Sequence, residues 1–123
     1  MTALWVTLLG GLGSLCRYGV GLLGVRIFGA TVPAGTFAVN LVGSAAIGFV
    51  MSLYAARGEL YSPARVALTG GFLGGFTTYS AFCYETFAFV DRGAYVAALA
   101  YVVATLVACF AGCAVGFGLA RML

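Results

Sequence analysis

The chain contains no histidine and no lysine, and only three acidic residues, Glu59, Glu85 and Asp91, in 123 positions. Without histidine, and with no nucleophile set beside a base, the ordinary routes to acid–base or nucleophilic catalysis are closed, so an enzyme is not expected. The six arginines, Arg17, Arg26, Arg57, Arg65, Arg92 and Arg121, form no cluster, which argues against a nucleic-acid partner. Charged residues make up 7% of the chain, against about 25% in soluble domains, so water is not its only solvent. Repeats, low-complexity tracts and interdomain linkers are also missing. The start has no basic region, and three more apolar runs follow the first, which speaks against a secretory signal peptide.

What remains is apolar: 63% of the residues are hydrophobic. They fall into four runs, Thr2–Val25, Pro33–Ala56, Pro63–Phe89 and Ala94–Leu119, each long enough to cross a bilayer core of about 30 Å. The expectation is one all-α integral membrane unit over residues 1–123, with four transmembrane helices and little outside the bilayer. Counting arginines by side gives Arg57, Arg65 and Arg121 against Arg26 and Arg92, almost no bias. Two readings stand: a weakly specified topology held by packing, or insertion in both orientations. The four cysteines, Cys16, Cys83, Cys109 and Cys113, all lie inside spans, so neither a disulfide framework nor a zinc site is expected.

The faces of the helices carry the next level of information. Gly10, Ser14, Arg17, Gly21 and Gly24 recur at spacings of three and four, on one side of a helix. Small residues allow close backbone approach in lipid, so this stripe reads as a packing seam. Arg17 stands out from it, either snorkelling to an interface or drawing anions toward a pore mouth. In the second run Thr36, Asn40, Ser44, Gly48 and Ser52 follow every four residues. The Asn40 amide offers two donors and an acceptor, which a ligand or an interhelical hydrogen bond has to meet. In the fourth run Tyr101, Thr105, Cys109 and Cys113 share a face, a polar track in competition with the Gly112 and Gly116 packing pair.

The third run is the least regular. Ser62 and Pro63 form a good helix start, and Pro63–Leu73 covers about half the bilayer. The stretch GGFLGGFTTYS, Gly70–Ser80, follows; residues 74–78 are expected to leave the helix, and a second half is expected over residues 79–90. A break inside a span is tolerated only where it is buried in protein or lines a cavity, and it offers carbonyls to cations and helix N-termini to anions. Tyr79, Phe82 and Phe89 lie just beyond it, and their ring edges are positive enough to solvate an anion. Glu85 is the one acidic residue well inside a span, and is expected to be paired, protonated or facing a pore.

GGFLGGFTTYSAF (Gly70–Phe82), AVNLVGS (Ala38–Ser44) and the segment around Arg17 closely resemble the Fluc (CrcB) family of fluoride channels, over essentially the whole chain. The resemblance implies an antiparallel, dual-topology homodimer in a bacterial plasma membrane, with two fluoride pores at the subunit interface. It also implies a structural sodium ion held by backbone carbonyls, here those of Gly74 and Thr77. The implied pore residues are Asn40, Tyr79, Phe82, Tyr101, Thr105 and Cys109, with Arg17 in the vestibule; the residues themselves add Ser80, a hydroxyl donor beside the break, and Glu85. Two departures are visible: Tyr79 where phenylalanine is usual, and Ala81 where a hydroxyl residue often sits. The competing functions are a proton-coupled exporter of small cations, in which Glu85 would carry the proton, and an assembly subunit that transports nothing.

Overall fold

The computed structural model describes residues 1–123. In chain order it contains α1 (Thr2–Phe28), α2 (Ala34–Ala56), α3 (Pro63–Val66), a π-helical stretch (Ala67–Leu73), α4 (Gly74–Phe76), α5 (Tyr79–Asp91) and α6 (Tyr95–Ala120). Helix is the only element these runs can adopt in hydrocarbon, because it satisfies every backbone group within the segment. α1, α2 and α6 are each long and apolar enough to cross a membrane. Their ends are set locally. Gly29, Gly58 and Gly93 stand at φ of 85°, 69° and 73° just after α1, α2 and α5, positive angles that glycine adopts without a Cβ clash and that let the chain turn away from the helix.

α3, the π-helical stretch and α4 run on from one another without a gap over residues 63–76. Ser62 caps the start, its Oγ accepting from the Arg65 N–H at 3.2 Å with Pro63 in the first turn. Helical hydrogen bonding stops at Thr77, which is extended (φ −84°, ψ 160°), and resumes at Tyr79 after Thr78 (φ −151°, ψ 117°). The expected non-helical stretch over residues 74–78 is therefore corrected to two residues. Gly74 is helical at φ −62°, ψ −38°, so it supplies no unusual backbone angle, and close approach to a neighbour is made at Gly75 and Gly13. A methyl at Gly75 would collide with the Gly10 carbonyl, and one at Gly13 with the Phe72 carbonyl. The wider π turn was not legible in the sequence; such turns frequently occur at functional sites.

Two seams of this kind hold the chain together. α1 lies against the π-helical stretch and α4 through Gly10, Gly13, Gly71 and Gly75, and its far end meets the start of α2 through Gly21, Gly24 and Gly35. α2 lies against α6 through Gly48, which faces the Cys113 backbone, and through Gly112 and Gly116, which face Leu41 and Ala45. Gly112 and Gly116 thus do the packing, while Tyr101 and Thr105 are buried on the same helix. Only 15 of 123 residues are buried, which leaves Leu4, Trp5, Leu8, Leu12 and Leu15 on α1 and Val96, Leu99, Val103, Val107 and Phe110 on α6 exposed. An apolar exterior of this size calls for lipid or another copy of the chain.

Candidate functional site

The interruption at Thr77–Thr78 is held by a side chain from another helix. Asn40 on α2 donates from Nδ2 to the Thr78 carbonyl at 2.9 Å, and its Oδ1 accepts from the Thr78 N–H at 2.8 Å. One amide thereby replaces both bonds that a continuing helix would have given Thr78, and the second Nδ2 hydrogen has no partner. Of the two readings of Asn40 left open by the sequence, the interhelical bond is present, and one donor is left over. Thr78 also caps α5: its Oγ1 accepts from the Ala81 N–H at 3.2 Å and lies 3.3 Å from the Ser80 hydroxyl.

The other side of the interruption is held by α1. Arg17 Nε donates to the Gly75 carbonyl at 3.0 Å, and Ser14 Oγ donates to the same oxygen at 3.4 Å. A cation at the last carbonyls of a helix complements its dipole, so Arg17 neither snorkels nor stands free; it caps the segment that ends at Phe76. Two nearby carbonyls are unsatisfied. The Thr77 carbonyl receives no hydrogen bond, and the Gly74 carbonyl loses its usual partner because the Thr78 N–H goes to Asn40. Unpaired carbonyls of this kind are oxygen ligands suited to a hard cation, and Gly74 and Thr77 both line the cavity described next. No group of three His, Cys, Asp or Glu side chains comes together elsewhere to hold a metal.

A cavity of about 330 Å³ opens beside the interruption. Asn40 and Ser44 line it from α2, Gly74, Thr77, Tyr79 and Phe82 from the interrupted helix, and Thr105 and Cys109 from α6. No charged residue lines it. Thr105 is 4% exposed and its Oγ1 has no hydrogen-bond partner, a rare state for a buried hydroxyl. Phe82 forms the floor. Its ring centroid is 5.6 Å from that of Tyr79 and 5.2 Å from that of Tyr101, and Tyr101 is 6.1 Å from Phe89 on its other side. Beyond this aromatic row lies a second cavity of about 410 Å³, lined by Tyr18, Thr36, Tyr84, Glu85, Phe89 and Arg92 among others. Glu85 is paired there: Thr36 Oγ1 donates to Oε1 at 2.6 Å and the Tyr101 hydroxyl to Oε2 at 2.7 Å.

Of the expected pore residues, Asn40, Tyr79, Phe82, Thr105 and Cys109 meet around the first cavity. Glu85 lies in the second. Tyr101 stands between the two, while Ser80, exposed at the start of α5, and Arg17 line neither. Tyr79 and Phe82 share a side of α5, yet Tyr79 is 74% exposed and Phe82 6%. Sequence reasoning passed over Ser44 as a cavity residue and Gly13 as a seam residue. Ser44 could have been found from its place on the Asn40 line, and Gly13 from its spacing of three from Gly10 and four from Arg17, which puts it on the same face.

Fold and site together define a multi-pass helical membrane protein with a cavity, bordered by Asn40, Ser44, Thr77 and Thr105, built where one helix is interrupted. The chain matches the family described as CrcB-like protein, Camphor Resistance (CrcB), over residues 4–117, and it belongs to that family. It is 42% identical over 119 residues to the fluoride-specific ion channel FluC of Geobacter sp. (strain M21), which covers 97% of this chain and 96% of that relative. It is 44% identical over 102 residues to the FluC of Methylobacterium nodulans, 83% of this chain and 82% of the relative. A similar protein of the same name from Chloroflexus aurantiacus (strain ATCC 29366 / DSM 635 / J-10-fl) is 40% identical over 110 residues.

Proposed function

We propose that this chain is the subunit of a fluoride-specific channel in a bacterial plasma membrane, passing fluoride passively out of the cell. The observation that carries this reading is one cavity without a charged residue in its lining, bordered by Asn40 with its spare amide donor, by Thr105 and by Phe82. Fluoride is small and strongly hydrated. A path for it replaces water with several weak donors and ring edges, and a fixed positive charge in the cavity would trap it.

Two copies in antiparallel orientation complete the site in this reading. Gly74 is exposed in the single chain and Thr77 half-exposed, although both carry unpaired carbonyls, and such oxygens do not face lipid. A partner copy covers them and supplies a matching pair. The Gly74 and Thr77 carbonyls of both copies would then hold a sodium ion. Its charge would neutralise oxygens that otherwise repel one another and would fix the interruption in place.

The test is fluoride efflux from liposomes containing the purified protein, measured with a fluoride electrode beside chloride, without a pH gradient. Fluoride passing and chloride retained is the expected result. Efflux that requires a proton gradient, or no efflux at all, would overturn the reading. Labelling of a terminal tag on intact and permeabilised cells tests the orientation: protection on one side only refutes the antiparallel pair.

A further inference from the structure

Three helices meet at one carboxylate. Glu85 on α5 accepts at Oε1 from the Thr36 hydroxyl of α2, 2.6 Å away, and at Oε2 from the Tyr101 hydroxyl of α6, 2.7 Å away. Each hydroxyl has a single proton to give, and both are given to Glu85. The Tyr101 hydroxyl therefore has no proton left for an ion, although the sequence places it on a polar track. What Tyr101 brings to the route is its ring, which is buried between Phe82 and Phe89 with centroids 5.2 and 6.1 Å away. Glu85 lies between those two residues at spacings of three and four, on the same face of α5, so the hydroxyl is tied at the middle of the row.

A glutamate side chain keeps much rotamer freedom unless it is held. One hydrogen bond to one oxygen leaves it free to swing; a second bond on the other oxygen fixes the carboxylate plane. Thr36 supplies that second bond. It precedes Asn40 by four residues and shares its face of α2. That face grips the interrupted helix twice, at the Thr78 backbone through Asn40 and at Glu85 through Thr36. α5 depends on such grips, since Phe82 is its only buried residue. The contacts also join the two cavities: Thr36 and Glu85 line the second, Tyr101 lines neither, and Phe82 lines the first.

We propose that Thr36 is a positioning residue: acting through Glu85, it holds the Tyr101 ring against Phe82, and the Tyr101 hydroxyl serves this anchor and not the ion. This rests on the reading of the first cavity as part of the fluoride route. Thr36 and Tyr101 then act as one unit, because either hydroxyl alone leaves the carboxylate loose and the ring without a fixed anchor. Groups in one hydrogen-bonded network lose their effect together, whereas independent groups lose theirs separately.

The experiment compares the parent chain with Thr36→Val, Thr36→Ser, Tyr101→Phe and the double variant Thr36→Val/Tyr101→Phe. Fluoride efflux from liposomes is measured well below each melting temperature, so that lost flux is not lost fold. Valine keeps the shape of threonine without its hydroxyl, and efflux should fall about tenfold, the order of one hydrogen bond to a charged group. Thr36→Ser, which keeps the donor, should stay close to the parent. Tyr101→Phe should match Thr36→Val, and the double variant should fall no further than either. Parental efflux in Thr36→Val would overturn the proposal, as would a serine variant no better than valine. Losses that multiply in the double variant would make the Tyr101 hydroxyl an independent ligand of the ion, and would overturn it too. Should Thr36→Val not fold, Glu85→Gln takes its place: a glutamine has one oxygen to accept with, so one hydroxyl loses its partner, and parental efflux there refutes the anchor. A parent that passes no fluoride sinks the transport reading instead. The melting temperatures then decide the anchor, since losses in Thr36→Val and Tyr101→Phe that simply add would remove it.

Discussion

Replacing Asn40 by alanine removes two hydrogen bonds at once, both to the backbone of Thr78. No other group reaches that N–H or that carbonyl to replace the amide. Each orphaned buried group costs about 1–3 kcal/mol, but interhelical bonds inside membranes are measured nearer 0.6–2 kcal/mol. Two of them therefore give about 1–4 kcal/mol, and at about 1.4 kcal/mol per factor of ten the folding equilibrium constant falls roughly 5- to 1,000-fold. Asn40→Asp separates the two roles of this side chain. A carboxylate still accepts from the Thr78 N–H, but its second oxygen faces the Thr78 carbonyl and it has no donor for an anion. Asn40→Asp is expected to pass far less fluoride than its melting temperature alone would explain, and Asn40→Ser, a shorter donor, to do less harm. The assays are thermal unfolding in detergent and liposome efflux, run on the same preparations. An alanine variant that melts and conducts like the parent would refute the clamp, and an aspartate variant with parental flux would show that the amide never meets the ion.

Gly75→Val puts a branched side chain where even a methyl meets the Gly10 carbonyl; about 1–3 kcal/mol of stability should be lost, visible as a lower melting temperature, whereas the same change at Gly70, which faces open space, should cost far less. Phe82→Ile should cripple fluoride passage, since it removes a ring that lines the first cavity, while Tyr79→Phe should keep the selectivity for fluoride over chloride; the opposite pattern would make the phenol hydroxyl the ligand. Replacing sodium by a bulky organic cation on both sides should abolish efflux or lower the melting temperature, and unchanged values after thorough removal would count against a sodium site.

The spans were legible because a bilayer core imposes length and hydropathy on every segment that crosses it. α1, α2 and α6 follow their apolar runs to within three residues at either end. Polar lines were legible as lines, since Asn40, Thr105 and Cys109 did converge. The nature of the interruption was not. Gly74 and Gly75 read as breakers by soluble-protein habit, yet the helix runs through both, and at Gly75 the absent Cβ serves contact with Gly10. What stops the helix is Asn40, 38 residues away from Thr78, and no local pattern encodes a bond at that separation. Glu85 shows the same limit. Its need for a partner was readable from its place in a span, but Thr36 and Tyr101 lie on two other helices, 49 and 16 residues away.

The bonds around the interruption also explain why the first-span arginine lies so deep. A helix that ends inside a membrane leaves carbonyls without donors, and water is not there to solvate them. At Gly75 the donor is Arg17, assisted by Ser14; at Thr78 it is Asn40. These two carbonyls are occupied from α1 and from α2, on either side of Thr77. The Gly74 and Thr77 carbonyls before and between them stay open, and they belong to residues that line the cavity. The positive charge of Arg17 is therefore spent on the backbone, outside the space an anion would use, and the cavity keeps only weak donors: an amide hydrogen, a hydroxyl, a thiol and ring edges. A chain with Arg17 turned into the cavity would bind an anion tightly and release it slowly. Holding the charge against Gly75 keeps the positive field nearby while leaving the cavity itself without a trap.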